Sequence, residues 1–394
     1  MAETQATHRG ISGGREDIRD LRKSFAEGDS ASRKKLIDGY HDLGRFENLD
    51  PEADELSDHD ARVLLANKRG YAHWVKYYDY LDPGVRDVIT SIQRNDLEGL
   101  KRALSLDHRA ANPNYREGYE PIDPEFRNFN NDSIPLFEVS ENVFSGTIPV
   151  DTHEYEMAEA LIEAGGDPDF DHGRPLTAAV SYNAINVVRA LLDGGATIDG
   201  PYGHGCPMAF AMHFGFTQVT EQLASAGAKL DLRFAAGIGY LTTLKSFILT
   251  DDTLKESAGE LADPYTRSES PDDPGRYRME RTRENVLHQA LYFACRAGKL
   301  DAAAFLLEQG IDLNAPVPGL DVNATALHWC SWWGTSEGNT VDWAETEKRC
   351  IGATRFLLEH GADPMNTQAH NNSTPLDWAS SDSVKAVISE HIKV

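Results

Sequence analysis

The 394-residue sequence has no apolar stretch near the roughly 18 residues that a membrane-crossing helix needs. Its opening, MAETQATHRGISGGRED, holds no apolar run, so no secretory signal is expected. Cysteine is scarce. The four are Cys206, Cys295, Cys330 and Cys350, and none forms a CxxC pair. A disulfide framework, typical of small secreted domains, is not expected; the thiols read as reduced, apolar core residues of a cytoplasmic protein. Positive charge is scarce too: Lys and Arg total 38 against 63 Asp and Glu, a formal charge of −25. Such a chain repels phosphate backbones and anionic lipid surfaces, which argues against nucleic acid and membrane as partners. Cationic and apolar protein surfaces remain. There is no P-loop, no strand–helix GxGxxG, no HExxH and no GxSxG, so no catalytic residue set and no cofactor is expected. The pairs His204/Cys206 and His328/Cys330 have metal-compatible chemistry, but each lacks a second pair nearby, and no metal site is expected.

What the chain does have is a period. Residues 174–199, RPLTAAVSYNAINVVRALLDGGATID, overlay residues 206–231, CPMAFAMHFGFTQVTEQLASAGAKLD. Pro175 falls on Pro207, Ala179 on Ala211, Gly195 on Gly227 and Ala196 on Ala228, each 32 residues on. The frame returns at 289–314, at 325–334 with 353–364, and at 373–382. Each part has a physical reason. The Thr/Ser-Pro-Leu start sets a turn and opens a helix, with proline in its first turn. Small residues such as Ala178 and Ala179 let neighbouring helices approach. A second helix carries Val187, Val188, Leu191 and Leu192 in one copy and Phe305, Leu306 and Leu307 in another. Gly195, Gly227, Gly310 and Gly361 then end that helix in the left-handed region. One such unit cannot bury its apolar faces alone, whereas stacked units share a core.

TALHWC (325–330), STPLDWA (373–379) and LLEHGADP (357–364) resemble the ankyrin repeat, a motif of about 33 residues with a TPLH-x-A start. The resemblance implies an all-α solenoid of stacked helix–turn–helix units. It places His328 at the motif histidine, where family members use it for hydrogen bonds around the turn. Weaker copies at 231–248, at 134–140 with 158–169, and at 86–104 bring the array to about eight units over 84–394. Insertions are expected near 137–150, 251–284 and 335–349. Residues 1–20 are polar and read as a disordered tail. Residues 21–83 read as a helical leader with Leu21, Phe25, Leu36, Ile37 and Tyr40 as apolar positions, a cap at Ser57, and Trp74, Tyr77, Tyr78 and Leu81 in its last helix. This segment is similar to leaders ahead of ankyrin arrays in bacterial proteins. Its role is either to cap the first repeat or to bind separately.

In the ankyrin family the two residues before the mid-repeat glycine commonly point into a binding groove, as do the turn tips. That pattern gives Ser181 and Tyr182, His213 and Phe214, Gly237 and Ile238, Arg296 and Ala297, then Trp332 and Trp333. From these, Tyr182, His213, Phe214, Arg296, Trp332 and Trp333 are the candidate partner-binding residues, because aromatics and Arg dominate binding hot spots. The competing reading packs the rings beneath the insertions as extra core. Arg276, Arg278, Arg281 and Arg283 cluster within one insertion, as a solvated or salt-bridged segment or as a contact for an acidic ligand. The function expected is protein–protein interaction with an unidentified partner. The alternatives are a self-assembling structural protein and an enzyme with a pocket under an insertion.

Overall fold

The computed structural model describes residues 10–38, 53, 55–56, 61, 64–65, 83–112, 134–200, 203–264, 279–320, 322–332, 341–367 and 372–392. These are helices and turns, with two isolated bridges and no ladder of strands among them. None of the described helices is long and apolar enough to cross a membrane. By its contacts the chain divides into two compact units, residues 1–138 with 160–167, and residues 139–159 with 168–394.

The first unit begins with α1 (Gly10–Glu27) and α2 (Ser30–Asp38). The helix starts well inside the stretch expected to be a disordered tail. Ile18, Leu21 and Phe25, three to four residues apart, form one apolar stripe, so the helix has a buried face to pay its ordering entropy. The same cluster takes in Ile37, Leu56, Leu64 and Leu65, with Leu36 partly buried. Tyr40, Ser57, Trp74, Tyr77, Tyr78 and Leu81 lie outside the described residues. Next come α3 (Pro83–Gln93) and α4 (Leu97–Leu106), an antiparallel pair closed at Asn95, whose φ is 53°. Val85, Val88 and Ile92 face Leu100 and Leu104 in its core, and all five are buried. Asp96 caps α4 by accepting from the Gly99 N–H at 2.8 Å.

The second unit repeats that hairpin. Its pairs are α7 (Phe170–Ser181) with α8 (Ile185–Asp193), α9 (Cys206–Phe214) with α10 (Thr217–Ser225), α11 (Leu232–Ile238) with α12 (Leu241–Ser246), and α13 (Arg283–Arg296) with α14 (Leu300–Leu307). Then follow α15 (Ala326–Ser331) with α16 (Trp343–Glu359), and α17 (Pro375–Trp378) with α18 (Asp382–Ile392). First helices pack in series, α7 on α9, α9 on α11, α11 on α13, α13 on α15 and α15 on α17. Small residues make this possible: Ala178, Ala179, Ala209, Ala211, Ala235, Ala236, Ala290 and Ala294 are all buried. Ahead of this stack, α5 (Pro135–Ser145) and α6 (Glu154–Glu163) straddle the boundary between the units.

Two backbone devices recur. Between the helices of a pair, the chain turns on a left-handed residue, Asn183 (φ 53°), Gly215 (φ 72°), Gly239 (φ 86°) or Gly298 (φ 69°). After α8, α10, α14 and α16, Gly195, Gly227, Gly310 and Gly361 take φ values of 94°, 98°, 83° and 96°, as the period required. At three of them the next N–H reaches back to a carbonyl five residues earlier: Ala196 to Leu191, Ala228 to Leu223 and Ala362 to Leu357. A side-chain ladder then joins successive turns. Asp169 accepts from the Thr197 N–H (2.8 Å), Asp199 from Lys229 N–H (2.9 Å) and Asn314 from Asp363 N–H (2.8 Å).

Three expected boundaries move. At the first insertion, 137–145 belongs to α5, and only 146–153 is loop. At the last, 343–349 is the front of α16, started by Asp342, whose carboxylate accepts from the Glu345 N–H at 3.1 Å. Acidic, amphipathic sequence there reads as loop by polarity alone, but it buries Thr346 and Cys350 on one face. Pro175 does not open its helix: α7 starts at Phe170, one turn earlier, since the proline ring needs only a helical φ and gives up one hydrogen bond. Pro375 does open α17, at its first turn.

Candidate functional site

The candidate residues gather at the carboxyl ends of the first helices in the second unit. Tyr182 ends α7 and is half-buried, its ring stacked on Phe144 at 4.9 Å. Phe214 ends α9, also half-buried, and stacks on Phe210 (6.2 Å) and Phe216 (5.5 Å). Trp332 follows α15 and is half-buried against Trp329 (5.9 Å) and Trp378 (6.3 Å). Trp333 lies outside the described residues.

His213 and Arg296 sit lower, and the expectation that both present themselves at a groove surface does not hold. His213 is wholly buried, 3.0 Å through Nδ1 from the Tyr292 hydroxyl and edge-on to Trp329 at 5.3 Å. Burial first, and the nearby Arg296 charge second, push its pKa down to about 3, so the imidazole is neutral across the physiological range. Arg296 is 6% exposed. Its guanidinium donates from Nε to the His213 carbonyl (3.0 Å) and from Nη1 to the Trp329 carbonyl (2.8 Å) and the Trp332 carbonyl. The His213 and Trp329 carbonyls belong to the last turns of α9 and α15, where backbone acceptors lack helical partners and the helix dipole is negative. A buried cation there ties the ends of α9, two units earlier, and of α15, in the next unit, to α13. The guanidinium also lies 5.9 Å from the centre of the Trp332 ring. Gly237 and Ile238 are buried as well; a methyl on Gly237 would strike Met212 Sδ at 2.3 Å.

Sequence reasoning missed Arg349. Its Nη1 donates to the Gly215 carbonyl at 2.5 Å and its Nη2 to Thr346 Oγ1 at 3.1 Å. It reaches the end of α9 from α16, 134 residues away in sequence. Desolvation, and after it repulsion from Arg296, lowers its pKa.

A second constellation was also missed. Arg233 is wholly buried in α11. Its Nε and Nη2 donate to Asp231 Oδ2 at 2.9 and 2.6 Å, and Nη1 to Asp263 Oδ1 at 2.7 Å. The Leu261 carbonyl accepts from Nη2 at 2.6 Å, and Gln289 Oε1 accepts from Nη1. Asp263 also accepts from Arg281 Nη1 (2.8 Å) and from the Met279 N–H (3.0 Å). Two arginines thus face two aspartates with every carboxylate oxygen engaged. This set anchors both ends of the 251–284 insertion on the stack. A signal for it was present: Asp199, Asp231 and Asp263 repeat at 32 residues, and a lone Arg stands inside the apolar run LRFAAGI. Of the four clustered arginines, Arg281 and Arg283 are salt-bridged, the latter to Asp252 at 2.9 Å. Arg276 and Arg278 lie outside the described residues.

The motif histidine behaves as the sequence implied. His328 Nδ1 is 2.8 Å from Thr325 Oγ1 and its Nε2 is 3.1 Å from the Ser373 carbonyl of the next repeat. None of the four cysteines is in a disulfide, and all four are buried. Burial pushes the Cys350 thiol up to about 11, and Cys295 is raised by its contact with Cys330, so these are protonated thiols. Among the described residues no group of three His, Cys, Asp or Glu side chains is placed to hold a metal.

Residues 287–345 match the family model described as ankyrin repeats in many copies. No curated protein matches the chain. Among solved structures, it is similar to the ankyrin repeat domain of Bcl-3, described as a unique member of the IkappaB family. The identity is 18%, over 77% of this chain and 97% of that one, with a TM-score of 0.32. The human ASB11 ankyrin repeat domain is 18% identical over 65% of this chain and 97% of its own, with a TM-score of 0.27. The family match falls on the segment that holds Thr325, His328 and the turn glycine Gly310, so the chain carries ankyrin repeats over residues 287–345.

Proposed function

We propose that this chain is a protein-interaction module that holds a partner protein on the groove side of its stacked first helices and on its turn tips. The observation that carries the reading is the row of half-buried rings Tyr182, Phe214 and Trp332 at the ends of three first helices. Each keeps open area while its backbone is fixed by the turn beneath it, which lowers the ordering cost of binding. His213 and Arg296 serve this surface from below by holding neighbouring helix ends together. Trp333 is assigned to the same surface by sequence position. At the turns, Met365 is 56% exposed and Val150 45%, the kind of apolar tip that a partner covers. The charge of −25 favours a partner whose surface is basic or apolar over nucleic acid or an anionic membrane, and suits a cytoplasmic setting.

The test is affinity purification of the full chain with mass spectrometry, run beside a Tyr182→Ala/Phe214→Ala/Trp332→Ala variant of matched circular dichroism. The expected result is a partner held by the wild type and depleted at least about tenfold in the variant, a loss of roughly 1.4 kcal/mol or more. An unchanged partner set overturns the placement of the surface.

A further inference from the structure

Within an acidic chain, Arg296 and Arg349 form a positive spot. Both touch Gly215: a methyl there would lie 3.2 Å from the Arg296 carbonyl and 3.4 Å from its Cγ, while Arg349 Nη1 donates to the Gly215 carbonyl. All the hydrogen bonds of the two guanidiniums go to neutral oxygens, four carbonyls and the Thr346 hydroxyl. The carboxylates nearest Arg349 are engaged elsewhere. Asp342 caps α16, and Glu345 lies 3.6 Å from Lys348. Lys299, one turn beyond Arg296, is taken by Glu221 at 3.4 Å. Among the described residues, neither Arg296 nor Arg349 has an ion-pair partner.

Two donors in this spot are left without an acceptor. Arg296 Nη2 makes no hydrogen bond among the described residues, and Arg349 Nε is a buried donor with no acceptor. The helix ends that receive these cations supply only about half a negative charge each, and α15 has only 6 residues, so two full positive charges are not balanced. The spot is flanked by the half-buried rings of Phe214 and Trp332.

We infer that Arg296 and Arg349 form a subsite for one carboxylate, supplied by an Asp or Glu side chain of a protein partner whose neighbouring residues pack on Phe214 and Trp332. The inference rests on the protein-binding reading and names one anchor within it. A guanidinium pair matches a carboxylate in shape and charge. A single carboxylate suits the site better than a phosphate, because the chain's net negative charge repels a dianion more strongly than a monoanion. The partner is then basic or apolar overall, with one acidic anchor.

Random 12-residue peptides displayed on phage, selected against the full chain, test this directly. The wild type is expected to enrich peptides with one fixed Asp or Glu beside apolar residues. Those peptides should bind Arg349→Gln about tenfold more weakly, the equivalent of one charge-assisted hydrogen bond. Replacing the peptide's acid by its amide should cost a similar factor in the wild type and little in Arg349→Gln. Arg349→Lys, which keeps the charge but loses the fork, should fall between the two. Arg349 is half-exposed, so its variants are checked for fold by thermal unfolding. Enriched peptides with no acidic position, or equal binding by the Arg349 variants, overturn the carboxylate subsite and leave the protein-binding reading intact. Enrichment only of phosphopeptides from a parallel synthetic array overturns the choice of carboxylate. No enriched peptide at all overturns both readings.

Discussion

Arg233 and Arg296 are both buried arginines that tie repeat to repeat, yet they are neutralised in opposite ways. Arg233 is held by two carboxylates, Asp231 and Asp263, all three wholly dehydrated. Arg296 is held by three backbone carbonyls, two of them at the carboxyl ends of flanking helices. The first arrangement is closed. Its charges cancel, and every donor of the Arg233 guanidinium is taken. The second is open, since carbonyls satisfy hydrogen bonds without cancelling a full charge. The difference teaches that in this stack a buried cation is neutralised where carboxylates match it and keeps uncancelled charge where helix ends alone match it, the charge on which the proposed subsite rests.

That comparison is broken most severely from the Arg233 side. Arg233→Met strands two buried carboxylates and the Leu261 carbonyl, and should cost about 3–5 kcal/mol. Urea unfolding reads the loss, and a cost below about 1 kcal/mol would show that water reaches this set. Arg296→Met leaves only neutral carbonyls without a donor. The expected cost is smaller, about 1–3 kcal/mol, in the same assay. If the two substitutions cost the same, the distinction between closed and open arginines fails.

Acid sharpens the Arg296 side. His213 has a folded pKa of about 3 against an ordinary value near 6.5. A depressed histidine binds its proton more readily in the unfolded chain. Stability is therefore full above about pH 6.5 and falls as the pH drops towards 3. Between pH 7 and 5 the loss from His213 alone is on the order of 2 kcal/mol. His288, lowered to about 4 by burial, adds a similar slope over that range. His213→Asn keeps an acceptor for Tyr292 and removes the titration. The variant should lose about half of the wild type's pH dependence in thermal unfolding. An unchanged slope would mean that His213 is hydrated.

Much of the architecture was legible because it is periodic. The glycines at 195, 227, 310 and 361 could be placed in the left-handed region from spacing alone, and the helices before them followed. The site was legible only in part. A position at the end of a first helix can be read from the repeat, but depth cannot. Ser181 and His213, 32 residues apart, hold the same place in the repeat, yet one is half-buried and the other is covered by Tyr292 and Trp329 from later repeats. Arg349 lies in a non-repeating stretch, so no alignment of copies could show that it reaches Gly215. The boundaries moved for the same reason. Residues 343–349 have no counterpart in other units, and only their packing makes them helix.

The smallest expected effect separates the last two repeats. Thr325 and Thr374 both cap short helices through capping boxes, but with different third residues, His328 and Asp377. The Asp377 carboxylate accepts from the Thr374 N–H at 2.7 Å and from its hydroxyl at 2.8 Å, and these bonds hold its pKa below the usual carboxylate range. That box is local and largely exposed, so Thr374→Ala should cost about 1 kcal/mol. The His328 box is buried, and its ring continues to the Ser373 carbonyl of the following repeat. Thr325→Ala frees the ring to turn, so it weakens a contact between repeats as well as a cap. It should cost about 0.5–1 kcal/mol more than Thr374→Ala. In His328→Ala, where that second contact is already gone, the added cost of Thr325→Ala should shrink to about that of Thr374→Ala. Additive losses in that cycle would mean that the histidine acts in the cap alone and does not couple the repeats.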